Sequence, residues 1–171
     1  HLDHIGWVSD DGVPVFPHAT YRCAEQEWGG AGPPPVAELM APVTDRLETW
    51  DRDSTLLPGL DARLAPGHTP GSSVVVVSSG SERVFLVGDL AHCPHELLVR
   101  DWAGLGDADP AQAAASRAQV AEEVADAGAW VGSTHFSGLA VGRLAVDGST
   151  RRFSYDVTHG DVGAPSGGAG R

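Results

Sequence analysis

The first four residues, His1-Leu2-Asp3-His4, offer two imidazoles and a carboxylate within one tetrapeptide. Groups of the same chemistry stand at three later points. His68 lies in Pro66-Gly67-His68-Thr69-Pro70-Gly71, Asp89 follows the apolar run Val84-Phe85-Leu86-Val87-Gly88, and His135 lies in Ser133-Thr134-His135-Phe136. Imidazole nitrogen and carboxylate oxygen are the ligands that Zn²⁺ and its first-row neighbours accept, so these six residues are the candidate ligands of a metal site. Each has a plainer explanation when taken singly. His1, Asp3 and His4 fit a polar surface loop. His68 fits a turn already accounted for by its prolines and glycines, Asp89 fits a turn or helix cap, and His135 fits a hydrogen-bonded core histidine. All six stand at the ends of predicted strands or in the loops beyond them, and that coincidence favours a shared site.

The other reactive side chains do not form a rival centre. Ser72, Ser73 and Cys93 have no identifiable general base, which argues against a serine or cysteine nucleophile. Cys23 and Cys93 are the only two cysteines and sit in no C-x-x-C spacing, so they read as buried free thiols. His92 and His95 follow Asp89 closely and read as outer donors, pocket walls or exposed loop histidines, outside the predicted metal set. Trp7, Trp28, Trp102 and Phe136 fall near the motif loops and either line an apolar substrate pocket or pack in the core.

Groups this far apart in sequence need a scaffold to bring them together. Ala19 to Trp28 has helix-compatible composition. A Gly/Pro break over 29–35 then leads to a second predicted helix running through Leu47. Short β-favouring segments follow at Leu60 to Leu64, Ser73 to Ser78 and Arg83 to Val87, the last two joined by a Ser-Ser-Gly-Ser turn as adjacent antiparallel strands. Asp109 and Pro110 form an N-cap and first helical position for a helix over Ala111 to Ala127, with Gly128 as its stop. Trp130 to Ser133 predicts a buried strand, Gly142 to Val146 and Arg152 to Val157 a hairpin around Asp147-Gly148, and 160–171 a flexible tail. Hairpin strands interrupted by covering helices predict a layered α/β (α+β) fold.

Bulk properties narrow the partners. At 171 residues, 42% hydrophobic and 20% charged, the chain suits one globular domain. It has no lysine, and its 11 arginines face 23 carboxylates, leaving a formal charge of -12. That charge repels phosphate backbones and anionic bilayers, so neither nucleic acid nor membrane is expected as a partner. No apolar run approaches the ~18–20 residues that span a bilayer. The first residue is a histidine with no leader-like segment after it, so export is unreadable; the compartment stays open, with the cytoplasm favoured.

The motifs resemble those of the metallo-β-lactamase superfamily, whose H-x-H-x-D-H loop is matched from its second histidine onward by His1-Leu2-Asp3-His4. Five further segments are most similar to the branch containing methyl parathion hydrolase and the quorum-quenching lactonases. They are His4-Ile5-Gly6-Trp7, Val15-Phe16-Pro17 with Tyr21 and Trp28, Pro66 to Ser72, Gly88-Asp89 with His92, and Thr134-His135-Phe136. The resemblance implies an αββα sandwich of which the chain is the C-terminal portion. Residues 1–159 would then form a domain lacking its N-terminal strands, with one face of the second sheet left without its covering layer. It also implies two divalent metal ions, zinc first, with manganese or iron as alternatives. One ion would be held by His1, His68 and a histidine upstream, the other by Asp3, His4 and His135, with Asp89 bridging both. Asp3 and Asp89 are the implied catalytic residues, and Trp7, Trp28 and Phe136 the pocket candidates. The implied activity is a metal-dependent hydrolase using a metal-bridged hydroxide on an ester, lactone or phosphotriester. The alternatives are a thioesterase of the glyoxalase II kind, RNA cleavage, which the charge disfavours, or a metal-binding fragment without catalysis. The expected partner is a small-molecule substrate, and a homodimer is among the assemblies allowed.

Overall fold

The computed structural model describes residues 1–28, 34–104 and 106–155. The chain opens with a single helical turn, α1 (Leu2–Ile5), and a small ladder of β1 (Ser9–Asp10) and β2 (Val13–Pro14). Strand β3 (Tyr21–Ala24), helix α2 (Pro34–Met40), a 3₁₀ segment (Ala41–Arg46) and β4 (Leu47–Trp50) follow. Then come β5 (Ser54–Leu57), β6 (Leu60–Leu64), β7 (Ser73–Ser79), β8 (Glu82–Leu86), helix α3 (Pro94–Leu98) and helix α4 (Pro110–Asp126). Strands β9 (Trp130–Gly132), β10 (Val141–Asp147) and β11 (Thr150–Tyr155) complete the described chain.

A seven-stranded sheet in the order β11-β10-β9-β8-β7-β6-β5 carries the architecture, and its pairs are antiparallel except β8 with β9. The parallel pair is the crossover that spans α3 and α4, as a connection between parallel strands requires. The mixed α/β class expected from the sequence is therefore what the chain adopts.

The predicted strands over Leu60 to Leu64, Ser73 to Ser78 and Arg83 to Val87 form where composition placed them, as does the closing hairpin as far as Tyr155. Helix α4 is capped as predicted: the Asp109 side chain accepts the Gln112 N–H at 3.0 Å, and Pro110 occupies the first turn. One expectation is overturned. Ala19 to Trp28 is not helical, because Tyr21–Ala24 pairs in parallel with Leu47–Trp50 and the Tyr21 hydroxyl donates toward the Val8 and Phe16 carbonyls. Helix-compatible composition was a weak local preference here, and tertiary pairing outweighed it. The predicted tail over 160–171, residues 29–33 of the Gly/Pro break, and the end of the last strand beyond Tyr155 lie outside the described residues.

The core lies between the sheet and α4. Val74, Val76, Phe85, Val131 and Leu144 point toward Val120, Ala121 and Val124 in one cluster with Leu90, Leu97 and Phe136. The run Val74 to Val77 has a second apolar row facing the other way. In register across the sheet, Leu60, Val77 and Val84 form one line and Val75 and Leu86 another. Strands apolar on both faces belong to sheets covered on both sides. Here Val77 and Leu86 remain 38% and 44% exposed while Ala62, in line with Val75, is fully buried, so among the described residues this face is only partly covered. No helix among the described residues is long and apolar enough to cross a membrane.

Candidate metal centre

The His68 loop is built to hold one ring. The Ala65 N–H donates to the Ser72 carbonyl at 2.7 Å, and the Ser72 hydroxyl accepts the Thr69 N–H at 2.9 Å, closing a tight turn beyond β6. The loop is then pressed onto the start of α4. The Gly67 and His68 carbonyls accept the N–H groups of Asp109 and Ala108, and the Ser116 hydroxyl donates to the Pro66 carbonyl at 2.6 Å. Gly67 has φ +135°, and a Cβ there would meet the backbone nitrogen of Ala113 at 2.1 Å, so only glycine fits this approach.

Behind the loop, His68 Nδ1 lies 3.2 Å from Asp107 Oδ1, and Asp107 Oδ2 accepts Arg117 Nη2 at 2.9 Å and the Gly104 N–H at 2.9 Å. Burial alone raises the Asp107 carboxyl pKa, but hydrogen bonds from Arg117 and His68 and the Arg117 charge outweigh it and hold the group below the usual carboxylate range. An ionised carboxylate at Nδ1 fixes the proton on that nitrogen and leaves Nε2 with its lone pair, the form of imidazole that binds metals. His68 is only 6% exposed, and its Nε2 has no hydrogen-bond partner among the described residues. A buried acceptor left idle in this way suits coordination of a cation.

Asp89 sits where β8 ends, past Gly88, whose φ of +51° turns the chain. Its neighbourhood is tied to the next strand, since the Ser133 hydroxyl donates to the Gly88 carbonyl at 3.0 Å and accepts the His135 N–H at 3.1 Å. The Asp89 carboxylate faces four imidazoles. Oδ2 lies 2.9 Å from His1 Nδ1 and 3.7 Å from His68 Nε2, whereas Oδ1 lies 2.8 Å from His4 Nε2 and 2.9 Å from His135 Nε2. Asp3, half turned to solvent, has Oδ2 3.5 Å from His4 Nε2 and 3.9 Å from His135 Nε2.

All six residues singled out in the sequence therefore meet at one edge of the sheet. Their donor atoms group as His1, His4 and Asp89, and as Asp3, His4 and His135, and a third group joins His68 and Asp89 to His92, which lay outside the predicted set. In each group the ligand atoms lie within 4.8 Å of one another, and imidazole with carboxylate is a donor set that fits divalent zinc and its neighbours. An open cleft beside them is lined by His1, His4, Glu27, His68 and Asp89 among others. Glu27 also accepts the Gly71 N–H at 2.7 Å, bracing the His68 loop from the β3 side.

The pocket aromatics do not converge there. Phe136 is 2% exposed and packs edge-on against Phe153 in the core; its burial as an anchor for the His135 turn corrects the pocket expectation. Trp7 is 77% exposed, Trp28 is half-buried, and neither lines the cleft among the described residues. Ser72 and Ser73 are spent on loop hydrogen bonds, and both cysteines are free thiols. Asp107 and Arg117 were missed in the sequence. The available signal was an arginine on the buried stripe Ala113, Arg117, Val120, Ala121 and Val124 of α4, a position that demands a buried acidic partner.

A family model described as the metallo-beta-lactamase superfamily matches residues 1–135. Comparison with curated proteins finds no match. Among solved structures, the chain is similar to AidC, described as a dizinc quorum-quenching lactonase in complex with a homoserine product. Identity is 29% and TM-score 0.81 over 91% of this chain and 61% of that one. It is also similar in fold to the hydrolase AbOPH of the beta lactamase superfamily, with 22% identity and TM-score 0.76 over 90% and 60% of the two chains. A probable metal-dependent hydrolase from Staphylococcus aureus shares the fold at 17% identity and TM-score 0.77 over 92% and 60%. The chain thus spans about three fifths of the length of these structures.

Proposed function

The chain belongs to the metallo-beta-lactamase superfamily, and from that premise we propose that it carries the binuclear centre of a hydrolase of neutral lactones, esters or phosphotriesters. The observation that carries this reading is the Asp89 carboxylate, one oxygen facing His1 and His68 and the other facing His4 and His135. A carboxylate between two sets of imidazoles is the arrangement that lets one side chain serve two cations. Likeness to a dizinc lactonase supports zinc and puts a lactone first among the substrates.

When bound, the two cations supply Lewis acidity toward a substrate oxygen and lower the pKa of water toward neutrality. The chain's own residues do the rest. His1 and His68 hold one side and His4, Asp3 and His135 the other, while Asp89 keeps the two sets in register. Asp3 is 61% exposed at its side chain, and with Oδ2 beside His4 and His135 its second carboxylate oxygen is left to orient water or take its proton. Asp107 and Arg117 keep the His68 ring from turning. Ser72 and Ser73, at the cleft, are spent on loop hydrogen bonds and are not poised as nucleophiles.

The test is hydrolysis of an N-acyl-homoserine lactone, an aryl ester and a phosphotriester by zinc-loaded and manganese-loaded protein. Turnover of the lactone, abolished by chelator and reduced at least ~100-fold by Asp89→Asn, is the expected result. Two bound ions with no turnover of any of the three would leave only a non-catalytic metal-binding chain.

A further inference from the structure

His92 stands outside the ligand set that the family resemblance implies, yet the fold delivers it to the same place. It lies in the turn between Asp89 and α3, and its ring centroid is 5.2 Å from that of His68 and 4.8 Å from that of His135. One ligand atom each of His68, Asp89 and His92 lie within 4.8 Å of one another. Two donors on a tetrahedral zinc ion stand ~3.4 Å apart for bonds of ~2.1 Å, so side-chain adjustments on the order of an ångström bring all three onto one cation. The buried His68 Nε2, without a partner among the described residues, supplies the independent sign that this group has a ligand to hold.

The turn is also built to orient the His92 ring. Glu96, 7% exposed in the first turn of α3, accepts the His92 backbone N–H at 3.0 Å with Oε2. That same oxygen lies 3.6 Å from His92 Nδ1. A buried carboxylate near one ring nitrogen favours turning the other toward a metal, a looser counterpart of the hydrogen bond that Asp107 makes behind His68.

Resting on the binuclear reading, we propose that His92 is a metal ligand on the His68 side of Asp89, with Glu96 as its positioning residue. The cation on that side is then held by His68, Asp89 and His92 as well as His1. Loss of His92 affects that cation and leaves the one at Asp3, His4 and His135 in place.

Cobalt(II) titration of the metal-free protein, with a competing chelator and visible spectra, tests this. The wild-type chain is expected to take two ions. His92→Ala is expected to weaken one of them tenfold or more and change its d–d bands, with Glu96→Gln weakening the same ion to a smaller extent. His92→Gln, which keeps the bulk of the side chain, gives the same readout if His92→Ala lowers the melting temperature of the metal-free protein. Two ions bound by both His92 variants with wild-type affinity and spectrum overturn the assignment and leave His92 a wall of the cleft, while the binuclear reading stands. A wild-type chain that binds no cobalt overturns the binuclear reading and this assignment with it.

Discussion

Asp107 is outside the groups of candidate metal ligands, yet the orientation of His68 depends on it. Its side chain and that of Arg117 are 0% and 2% exposed, and Arg117 also donates to the Trp102 carbonyl at 2.7 Å. Removing one member of a buried ion pair leaves the other as an uncompensated charge, which costs about 3–5 kcal/mol. Asp107→Ala is therefore expected to lose stability of that order in urea denaturation of the metal-free protein, with Arg117's carbonyl partners keeping the loss toward the lower end. Asp107→Asn, which keeps the side chain's bulk and one acceptor oxygen, should lose less. Equal stability of the alanine variant and the wild type would mean that the pair does not hold the loop. At this scale the sequence displayed the candidate ligands but not their supports. His68 and Asp89 stand in short motifs, whereas Asp107 meets His68 across 39 residues.

Helix α4 is anchored to the sheet by Arg63 of β6, whose guanidinium pairs with Glu123 through two hydrogen bonds, one of them 2.8 Å from Nη2 to Oε1. Burial tends to raise the Glu123 carboxyl pKa, but hydrogen bonds from Arg63 and Gln119 and the Arg63 charge prevail and lower it from 4.5. Its partner moves consistently, since the hydrogen bond to Glu123 raises the Arg63 pKa. A carboxyl with a depressed folded pKa stabilises the native state above its unfolded pKa, and the contribution is lost as pH falls through the folded value. Glu123→Gln is thus expected to be less stable than wild type at pH 7 by under about 1 kcal/mol, given the partial exposure of both side chains. The gap should close in acid, below the ordinary glutamate range. Urea midpoints measured at neutral and acid pH check this, and a gap that widened in acid would contradict the pairing. Elements held by local signals were legible beforehand: the Asp109-Pro110 cap, the Ser-Ser-Gly-Ser turn and the alternating strands. β3 was not, because its partner β4 lies across α2 and a parallel ladder leaves no turn signature between its strands.

Across the whole molecule, the sheet has two apolar faces, and among the described residues one is packed much more fully than the other. The Val74-Val75-Val76-Val77 run, which periodicity alone could not resolve, alternates between the α4 side and the less covered side. Phe85 and Leu86 are adjacent in β8 and point to opposite faces, so they compare the two sides within a single strand. Phe85 is 3% exposed in the core cluster, whereas Leu86 is 44% exposed. Phe85→Ala is expected to cost about 3–5 kcal/mol through lost burial and the cavity left behind. Leu86→Ala should cost under about 1 kcal/mol, because the leucine already meets solvent and leaves no cavity. Thermal and urea denaturation of the two variants measure the difference directly. Comparable losses would mean that Leu86 is covered in solution, and the less covered face would then have to be redrawn as an interface.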